Sequence, residues 1–240
     1  MNPILAVRHL TKTYADGHLA VNNLSLEIQA GDIFGFIGHN GAGKTTTLRS
    51  IIGALHFEIG EILINGDSIK TQAVKCKKQM AYLPDNPDLY DYLTGIQYLN
   101  FIADMYGVPL DIRQKRIQDF SDRLSLTANL GNLISSYSHG MKQKLALISA
   151  FIHQPKLLLL DEPFVGLDPE ATYIVKKMMI ELCEKGSAIF FSTHILEVAE
   201  NLCNKIGLID NGELKLVGLT DDVRGGKSLE EVFLEVVGHE

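Results

Sequence analysis

The sequence predicts an α/β fold in which a mixed, mainly parallel sheet follows N-terminal antiparallel β-strands and is interrupted by an inserted α-helical subdomain. Two observations carry this prediction. After the N-terminal third, apolar runs of strand length alternate with helical segments, as in parallel sheets covered on both faces. Only helical patterns occur between Leu83 and Leu157. We therefore expect one domain, with residues 1–84 and 156–240 forming its core and residues 85–155 the helical subdomain.

The N-terminal third predicts short strands. Apolar and β-branched runs occupy residues 3–9, 21–29 and 32–37, and Asn, Gly and Asp residues between them supply turns. A further alternation of apolar residues runs from Glu61 to Ile64. Continuous apolar runs later in the chain predict the parallel strands Met80 to Leu83, Leu157 to Leu160, Ala188 to Ser192 and Ile206 to Ile209.

Three helices are predicted in the insertion. Apolar periodicity indicates helices from Thr94 to Tyr106 and from Asp111 to Leu124, separated by a Gly-Val-Pro turn. A third helix starts at Ser138 and must end before Pro155, because the residue preceding a proline avoids helical geometry. Its apolar positions follow a 4-3-4 spacing: Met141, Leu145, Ile148 and Ile152.

The C-terminal segment predicts a hairpin and a helix. Asn211-Gly212, between residues 205–210 and 213–217, is typical of a two-residue hairpin turn. Residues 228–237 form an amphipathic helix that Ser228 and Glu231 begin with a capping box. We expect this helix to dock on its own domain through Leu229, Val232, Phe233 and Val236.

A glycine-rich stretch follows the apolar run from Ile33 to Ile37 and precedes a helix predicted from Lys44 to about Leu55. Its glycines let successive backbone N–H groups turn toward one anion, which the positive end of the helix also faces. Lys44 supplies a charge for the β- and γ-phosphates, and the Thr45 hydroxyl is placed for Mg²⁺. The alternative is a glycine-rich turn with a surface lysine. We predict that the nucleotide is bound by Gly38, His39, Asn40, Gly41, Ala42, Gly43, Lys44, Thr45 and Thr46.

Two carboxylates follow the buried strand that ends at Leu160, at the edge where open α/β sheets bind ligands. We predict that Asp161 holds Mg²⁺ through water and that Glu162 orients or deprotonates the water that attacks the γ-phosphate. His194 follows another such strand, where its imidazole can reach the γ-phosphate and the same water. Acids that merely end a strand, and a structural histidine, are the alternatives.

The composition excludes several classes of protein. A formal net charge of −7 lacks the basic field that nucleic acid requires, so no nucleic-acid partner is expected. The three cysteines, Cys76, Cys183 and Cys203, have no Cys-x-x-Cys spacing and are expected to be reduced thiols. No apolar run approaches the roughly 20 residues that cross a bilayer, and no secretion signal is visible, so we expect a cytosolic polypeptide.

Tyr137-Ser138-His139-Gly140-Met141, placed 23 residues before Asp161, resembles the LSGGQ-like signature of ATP-binding-cassette (ABC) ATPases. The resemblance covers nearly the whole chain, because other family motifs occur in the family's order. These are Tyr14 at the adenine-stacking position, Gly38 to Thr45 as Walker A, Asp85 at the Q-loop position, Leu157 to Asp161 as Walker B with Glu162 behind it, Val165 to Asp168 as the D-loop, and His194 as the switch histidine.

The resemblance implies an ATPase with ATP and Mg²⁺ as cofactors. Tyr14 would stack on adenine, with packing on the sheet as the alternative. Ser138 and Gly140 would reach the γ-phosphate bound on a second subunit, because the helical insertion carries that helix end away from its own phosphate loop. Asp168 would make a contact across the dimer, although helix capping alone also accounts for an Asp-Pro-Glu sequence.

Two departures from the family pattern bear on the site. Asp85 replaces the usual glutamine at the position that touches Mg²⁺, and its shorter side chain is expected to reach the ion only through water. His139 replaces a signature glycine and Met141 a glutamine. Ser138 and Gly140 keep the donors that face phosphate, so we expect activity to survive.

The resemblance further implies a function. Two copies, or this chain and a paralogue, would close around two ATP molecules and drive a separately encoded integral membrane subunit, which would hold the chain on the inner face of the cell membrane. The partner is expected to dock on the cleft between the sheet and the insertion, at residues 85–94 and the helix that starts there. The expected contact surface consists of Asn86, Pro87, Asp88, Leu89, Tyr90 and Tyr92, and the alternative is a loop packed on its own helices. Residues 228–238 resemble the tail of exporter cassettes, so export is favoured. The alternatives are a soluble ABC ATPase, for example of the iron–sulfur assembly type, and a catalytically quiet binding module.

Overall fold

The structure, a computed structural model, describes residues 2–237 and contains two β-sheets. A four-stranded antiparallel sheet has the order β2-β1-β4-β5, and a six-stranded sheet has the order β10-β9-β3-β8-β7-β6. The strands are β1 Leu5–Thr13, β2 Leu19–Ile28, β3 Ile33–Ile37, β4 Ile59–Ile64, β5 Asp67–Ser68, β6 Met80–Leu83, β7 Leu157–Asp161, β8 Ala188–Thr193, β9 Lys205–Asp210 and β10 Glu213–Leu219.

The helices follow the predicted order, with extra short ones between the strands. They are α1 Lys44–Ile51, α2 Ala73–Lys77, α3 Gly95–Met105, α4 Leu110–Arg123, α5 His139–Phe151, α6 Pro169–Glu184, α7 Leu196–Leu202, α8 Thr220–Arg224 and α9 Leu229–Val237. Helix α1 is shorter than predicted, because Gly53 takes a left-handed φ of 66° and ends it before Leu55.

The six-stranded sheet has the predicted parallel arrangement with an antiparallel edge. Strand β3 pairs in parallel with β8 and β9, and β7 pairs in parallel with β6 and β8. Strands β9 and β10 form the predicted hairpin, in which both turn residues, Asn211 and Gly212, have positive φ as a type I′ turn requires. Strand β10 extends two residues beyond the predicted end at 217.

The core lies on both faces of this sheet. One face packs Phe34, Phe36 and Phe190 against the antiparallel sheet, and the rings of Phe34 and Phe190 stack with centroids 5.2 Å apart. The alternate residues, such as Leu158, Leu160 and Phe191, pack against helices on the other face. Because both faces are covered, side chains reach a ligand only where the strands end, and β3, β7 and β8 end side by side.

Capping hydrogen bonds mark where helices begin, both in the insertion and in the C-terminal segment. Thr94 and Gln97 form a capping box at the start of α3, and the Ser138 hydroxyl accepts the Met141 N–H at the start of α5. The predicted box of Ser228 and Glu231 begins α9, whose Leu229 and Val232 are buried. Gly238, the last residue of the exporter-like tail, lies outside the described residues. The three cysteines are buried and free.

Candidate nucleotide site

The phosphate-binding loop connects β3 to α1. Two of its glycines are required by space, because a Cβ on Gly43 would lie 2.5 Å from the Ala20 carbonyl oxygen and one on Gly38 would lie 2.4 Å from the Ile209 carbonyl oxygen. Gly43 also has a φ of 106°, which other residues rarely adopt. The loop therefore has the close backbone packing and the helix N-terminus of an anion-binding site.

Lys44 lies beneath this loop with only 7% of its surface exposed. Its Nζ donates to the carbonyl oxygens of Gly38 at 2.7 Å and His39 at 3.0 Å. Burial lowers the pKa of Lys44, and the nearby carboxylates of Glu162 and Asp161 act in the opposite direction. Neutral carbonyls are its hydrogen-bond partners, so the ammonium keeps its charge available for a phosphate.

Asp161 is held at the end of β7 by two hydroxyl groups. Its side chain is almost fully buried, with Oδ2 accepting from Thr45 Oγ1 at 2.7 Å and Oδ1 accepting from Ser192 Oγ. Asp161 and Ser192 are direct partners in the parallel pairing of β7 with β8. The hydroxyl of Thr45 and the carboxylate of Asp161 are hard oxygen donors that fit Mg²⁺.

These donors suit a magnesium ion that keeps part of its water shell. Within residues 2–237, no group of three or more His, Cys, Asp and Glu side chains is placed to hold a metal. Mg²⁺ commonly binds through one or two protein oxygens together with water and substrate phosphates. Thr45 and Asp161 therefore fit the ion only if a nucleotide supplies further oxygens.

Glu162 and His194 form a pair at the same sheet edge. His194 Nδ1 donates to Glu162 Oε1 at 2.9 Å, and the carboxylate is only 15% exposed. Glu162 has a φ of 49°, and its N–H donates to the carbonyl and hydroxyl oxygens of Ser192 at 3.2 and 3.3 Å. A left-handed non-glycine residue costs about 1–3 kcal/mol and persists only where its surroundings enforce it. The left-handed backbone conformation of Glu162 thus directs its carboxylate toward the site.

The loop, the carboxylates and an aromatic ring enclose a cavity of about 290 Å³. Tyr14 lies at its rim, where its hydroxyl is hydrogen-bonded to Thr46 Oγ1 at 3.1 Å. Asp85 also lines the cavity, and its carboxylate accepts the N–H of Asn86 at 2.9 Å. The complete lining is Tyr14, His18, Ala20, Asn40, Gly41, Gly43, Lys44, Thr45, Thr46, Asp85, Asp161 and Glu162.

Several predicted residues do not line this cavity. Ser138 and Gly140 lie at the start of α5, and Asp168 begins α6, where its carboxylate accepts the N–H of Ala171 at 2.7 Å. Helix capping is therefore one role of Asp168. Ala42 is buried, and Gly38 packs against Ile209 of β9.

The side chain of His39 also points elsewhere. Its Nε2 lies 2.7 Å from Asp210 Oδ1, and its Nδ1 lies 2.7 Å from the Asn40 carbonyl oxygen. The side chain of His39 thus links the phosphate-binding loop to the end of β9. Only the backbone of His39 is then available to a phosphate. Asp210 was missed in the sequence, because a residue on a distant strand gives no local signal.

Ser192 was also missed as a site residue. The sequence does place it at the end of a predicted strand, beside Thr193 and shortly before His194. If β7 and β8 are aligned by their first residues, Leu157 and Ala188, Ser192 falls opposite Asp161, which is the observed register. The order of the strands in the sheet was needed to make that alignment.

The family can be stated from this site and from similarity to known proteins. The sequence pattern of the family described as ABC transporter matches residues 21–165, more than half of the chain. The chain belongs to the ABC transporter family. It is an ATP-binding subunit with ATPase activity. Within residues 2–237, no helix of this ABC subunit has both the length and the apolar character to cross a membrane.

Individual proteins are similar to this chain over most of its length. The ABC-type transporter ATP-binding protein EcsA of Bacillus subtilis is 34% identical over 246 residues, covering 99% of each chain. The Nod factor export ATP-binding protein I of Cupriavidus metallidurans is 34% identical over 212 residues, covering 88% of this chain and 70% of its own. A solved structure described as the ATP binding subunit of an ABC transporter has a TM-score of 0.93 at 34% identity, covering 97% of this chain and 99% of its own.

Proposed function

We propose that two copies of this ABC subunit, or this chain and a paralogue, close around two ATP molecules with Mg²⁺, hydrolyse them and thereby drive a separately encoded membrane subunit. The observation that carries the proposal is the Glu162–His194 pair, which lies at one sheet edge with the Thr45–Asp161 pair and Lys44. That edge combines a base, an ion site and a phosphate cradle. Phosphoryl transfer asks for little more than such positioning and charge compensation.

The phosphates would be held by the loop between β3 and α1. Lys44 would exchange its two carbonyl partners for β- and γ-phosphate oxygens, since charged acceptors bind an ammonium more strongly than neutral ones. Mg²⁺ would supply charge neutralisation between the two phosphates. Thr45 and Asp161 would hold the ion, and Asp85 would reach it through water.

Glu162 would accept the proton of the attacking water. His194 is placed beside the Glu162 carboxylate, so its imidazole can orient that side chain and donate toward the γ-phosphate. Tyr14, at the rim of the same cavity, would stack on the adenine ring.

A second subunit would complete the site. Ser138 and Gly140 begin α5 and lie outside the cavity of their own chain, where their backbone donors and the helix end can face the phosphates of a second copy. Asp168, at the start of α6, would contact the second copy nearby. We therefore infer that turnover per chain rises with protein concentration until pairing is complete.

The variant Glu162→Gln tests the chemistry. We expect ATP binding to remain and turnover to fall about 10²- to 10⁴-fold, the usual contribution of a positioned base. Nucleotide binding and phosphate release would be measured, with Glu184→Gln on the exposed end of α6 as the control. Turnover at the parental rate in Glu162→Gln would remove Glu162 from the mechanism.

An exposed aromatic surface is the proposed docking site of the membrane subunit. It consists of Tyr90, Tyr92, Phe101 and Met105, which are 44%, 76%, 41% and 63% exposed. Tyr90 contacts the rings of Tyr92 and Phe101, with centroids 5.9 and 5.7 Å apart. Exposed aromatic and methionine side chains that lie together are typical of interfaces.

The structure corrects one residue of the expected docking surface. Leu89 is only 8% exposed and packs in the core with Tyr98 and Leu99, because the chain turns inward there before α3. The surface continues onto α3, the helix expected to share it, through Phe101 and Met105. We infer that residues 85–155, which contain this helix and α5, form the subdomain that receives the membrane subunit.

Charge substitutions test this surface. Tyr92→Glu and Phe101→Glu should abolish co-purification with the membrane subunit, whereas Tyr173→Glu, on the exposed face of α6, should not. ATP binding should be unchanged in all three variants. Undiminished co-purification of the first two would contradict the proposed surface.

Export is the direction that we propose, with the chain held on the cytoplasmic face of the membrane by its partner. The support is the exporter-like tail from Ser228 and the name of one relative, the Nod factor export ATP-binding protein I. Transport of a labelled substrate into inverted vesicles would test the direction, and uptake into right-side-out vesicles would contradict it.

A further inference from the structure

Helix α5 contacts both ends of the loop that follows Glu162. This loop, residues 163–167, is here called the connecting loop. Gln143 is fully buried, and its Nε2 donates to the Pro163 carbonyl oxygen at 3.3 Å. At the other end, Lys144 Nζ lies 2.9 Å from Oδ2 of Asp168, the residue that begins α6. The first two turns of α5 therefore contact the loop at its start and at its end.

The middle of the connecting loop contacts the side chain of His139. Gly166 has a φ of 80°, and a Cβ on it would lie 2.6 Å from Cδ2 and 2.8 Å from Nε2 of the His139 ring. A Cβ on Gly140 would lie 2.9 Å from the Gly166 carbonyl oxygen. The imidazole therefore lies directly against the Gly166 α-carbon, and α5 approaches the loop as closely as its backbone permits.

The exposed middle of the loop has weak support of its own. The backbone hydrogen bonds of the loop are long, with the Val165 N–H at 3.2 Å from the Glu162 carbonyl oxygen and the Leu167 N–H at 3.3 Å from the Phe164 carbonyl oxygen. Phe164 and Leu167 pack on the core, whereas Val165 is 44% exposed and adds little burial. Side chains from α5 thus supply much of what fixes the loop around Gly166, and the loop directly follows the strained Glu162.

We propose that His139 is a positioning residue for ATP hydrolysis: its imidazole packs on Gly166 and, through the connecting loop, keeps Glu162 in its left-handed backbone conformation. A strained residue keeps its conformation only while its neighbours enforce it, so a looser loop leaves Glu162 misplaced for part of the time. The same packing couples the start of α5 to Glu162. A glycine at position 139, as in the signature that this chain resembles, cannot make this contact.

The test uses the full chain and separates catalysis from binding. His139→Gly should lower kcat about three- to tenfold, while the KM for ATP and the nucleotide Kd stay within about twofold, because Lys44 and its loop are untouched. His139→Gln, which refills the space over Gly166, should recover most of the loss. The control is His56→Gly, which removes an exposed imidazole from the segment between α1 and β4.

A double-mutant cycle tests the contact itself. Gly166→Ala places a methyl group against the His139 ring, so its effect on kcat should be smaller by at least about threefold in the His139→Gly background. Equal effects in both backgrounds, an unchanged kcat in His139→Gly, or a lowered melting temperature with an unchanged kcat would each overturn the inference.

The inference rests on the proposed role of Glu162, and the two fail in different ways. If Glu162→Gln turns over at the parental rate, the proposed base is wrong and this inference falls with it. If Glu162→Gln is inactive but the His139 and Gly166 variants do not couple, only the positioning role of His139 is wrong.

Discussion

Removing the Ser192 hydroxyl tests the network that positions both carboxylates of the site. Ser192 is fully buried on β8, its hydroxyl donates to Asp161 Oδ1 and it accepts the Glu162 N–H at 3.3 Å. Ser192→Ala changes a single oxygen atom and leaves the strand pairing intact. The substitution therefore isolates the hydrogen bonds from the packing.

The expected loss in the free energy of unfolding follows from the charge on the Asp161 carboxylate. Loss of a hydrogen bond to a charged group costs about 1.5–3 kcal/mol, and the buried Asp161 keeps only Thr45 as a side-chain donor. The Glu162 N–H still has the Ser192 carbonyl oxygen at 3.2 Å, so that second bond adds little. We expect the free energy of unfolding to fall by about 2 kcal/mol in Ser192→Ala.

Urea denaturation without nucleotide measures this loss, with Ser50→Ala as the matched control. Ser50 is also fully buried, but its hydroxyl donates to the Thr46 carbonyl oxygen within helix α1, a bond of little net value. Its loss should cost less than about 1 kcal/mol. Equal losses of stability in the two variants would refute the reasoning that Ser192 stabilises the Asp161 carboxylate.

Three further predictions concern single side chains. Tyr14→Ala should weaken ATP binding by about 1–3 kcal/mol and Tyr14→Phe by much less, as measured by calorimetry, because stacking needs only the ring. His194→Ala should lower kcat about 10²-fold with little change in nucleotide Kd, measured by phosphate release. Burial lowers the pKa of His153 to about 4, so the unfolded chain takes up that proton first as the pH falls through about 6.5. Stability should be fully present above pH 6.5 and decline by about 3 kcal/mol toward pH 4, and denaturation of His153→Phe should lack this decline.

The phosphate-binding loop and the acidic strand end were predictable because their physics is local. Glycines that permit close backbone approach, a lysine and a threonine at fixed spacing, and two acids after an apolar strand are all visible within a few residues. The structure places Lys44, Thr45, Asp161 and Glu162 around one cavity, as predicted. Both sheets and the helical insertion were also predicted, since the periodicity of each element is local.

The parts that sequence reasoning missed depend on contacts between distant residues. Ser192 joins the site through its register with Asp161, and Asp210 through its bond to His39, which lies 171 residues earlier. Leu89 was expected in the apolar, aromatic docking surface, yet it packs in the core. Burial of a single apolar residue in a loop is decided by the tertiary fold, and periodicity carries no information about it.

The charges around the cavity explain why a single chain is expected to bind ATP more readily than it hydrolyses it. Among its lining residues Lys44 is a cation, whereas Asp85, Asp161 and Glu162 contribute carboxylates. Even with Mg²⁺ bound, these acids oppose the negative charge that moves onto the phosphates and the leaving oxygen during transfer.

Further hydrogen-bond donors are needed on the side of the γ-phosphate that the cavity does not enclose, and these donors must not be carboxylic acids. The start of α5 offers backbone N–H groups and the positive end of the helix dipole. It does not line the nucleotide cavity of its own chain. Under the proposed function, pairing supplies these donors only when two nucleotides are bound, so hydrolysis is coupled to closure of the pair.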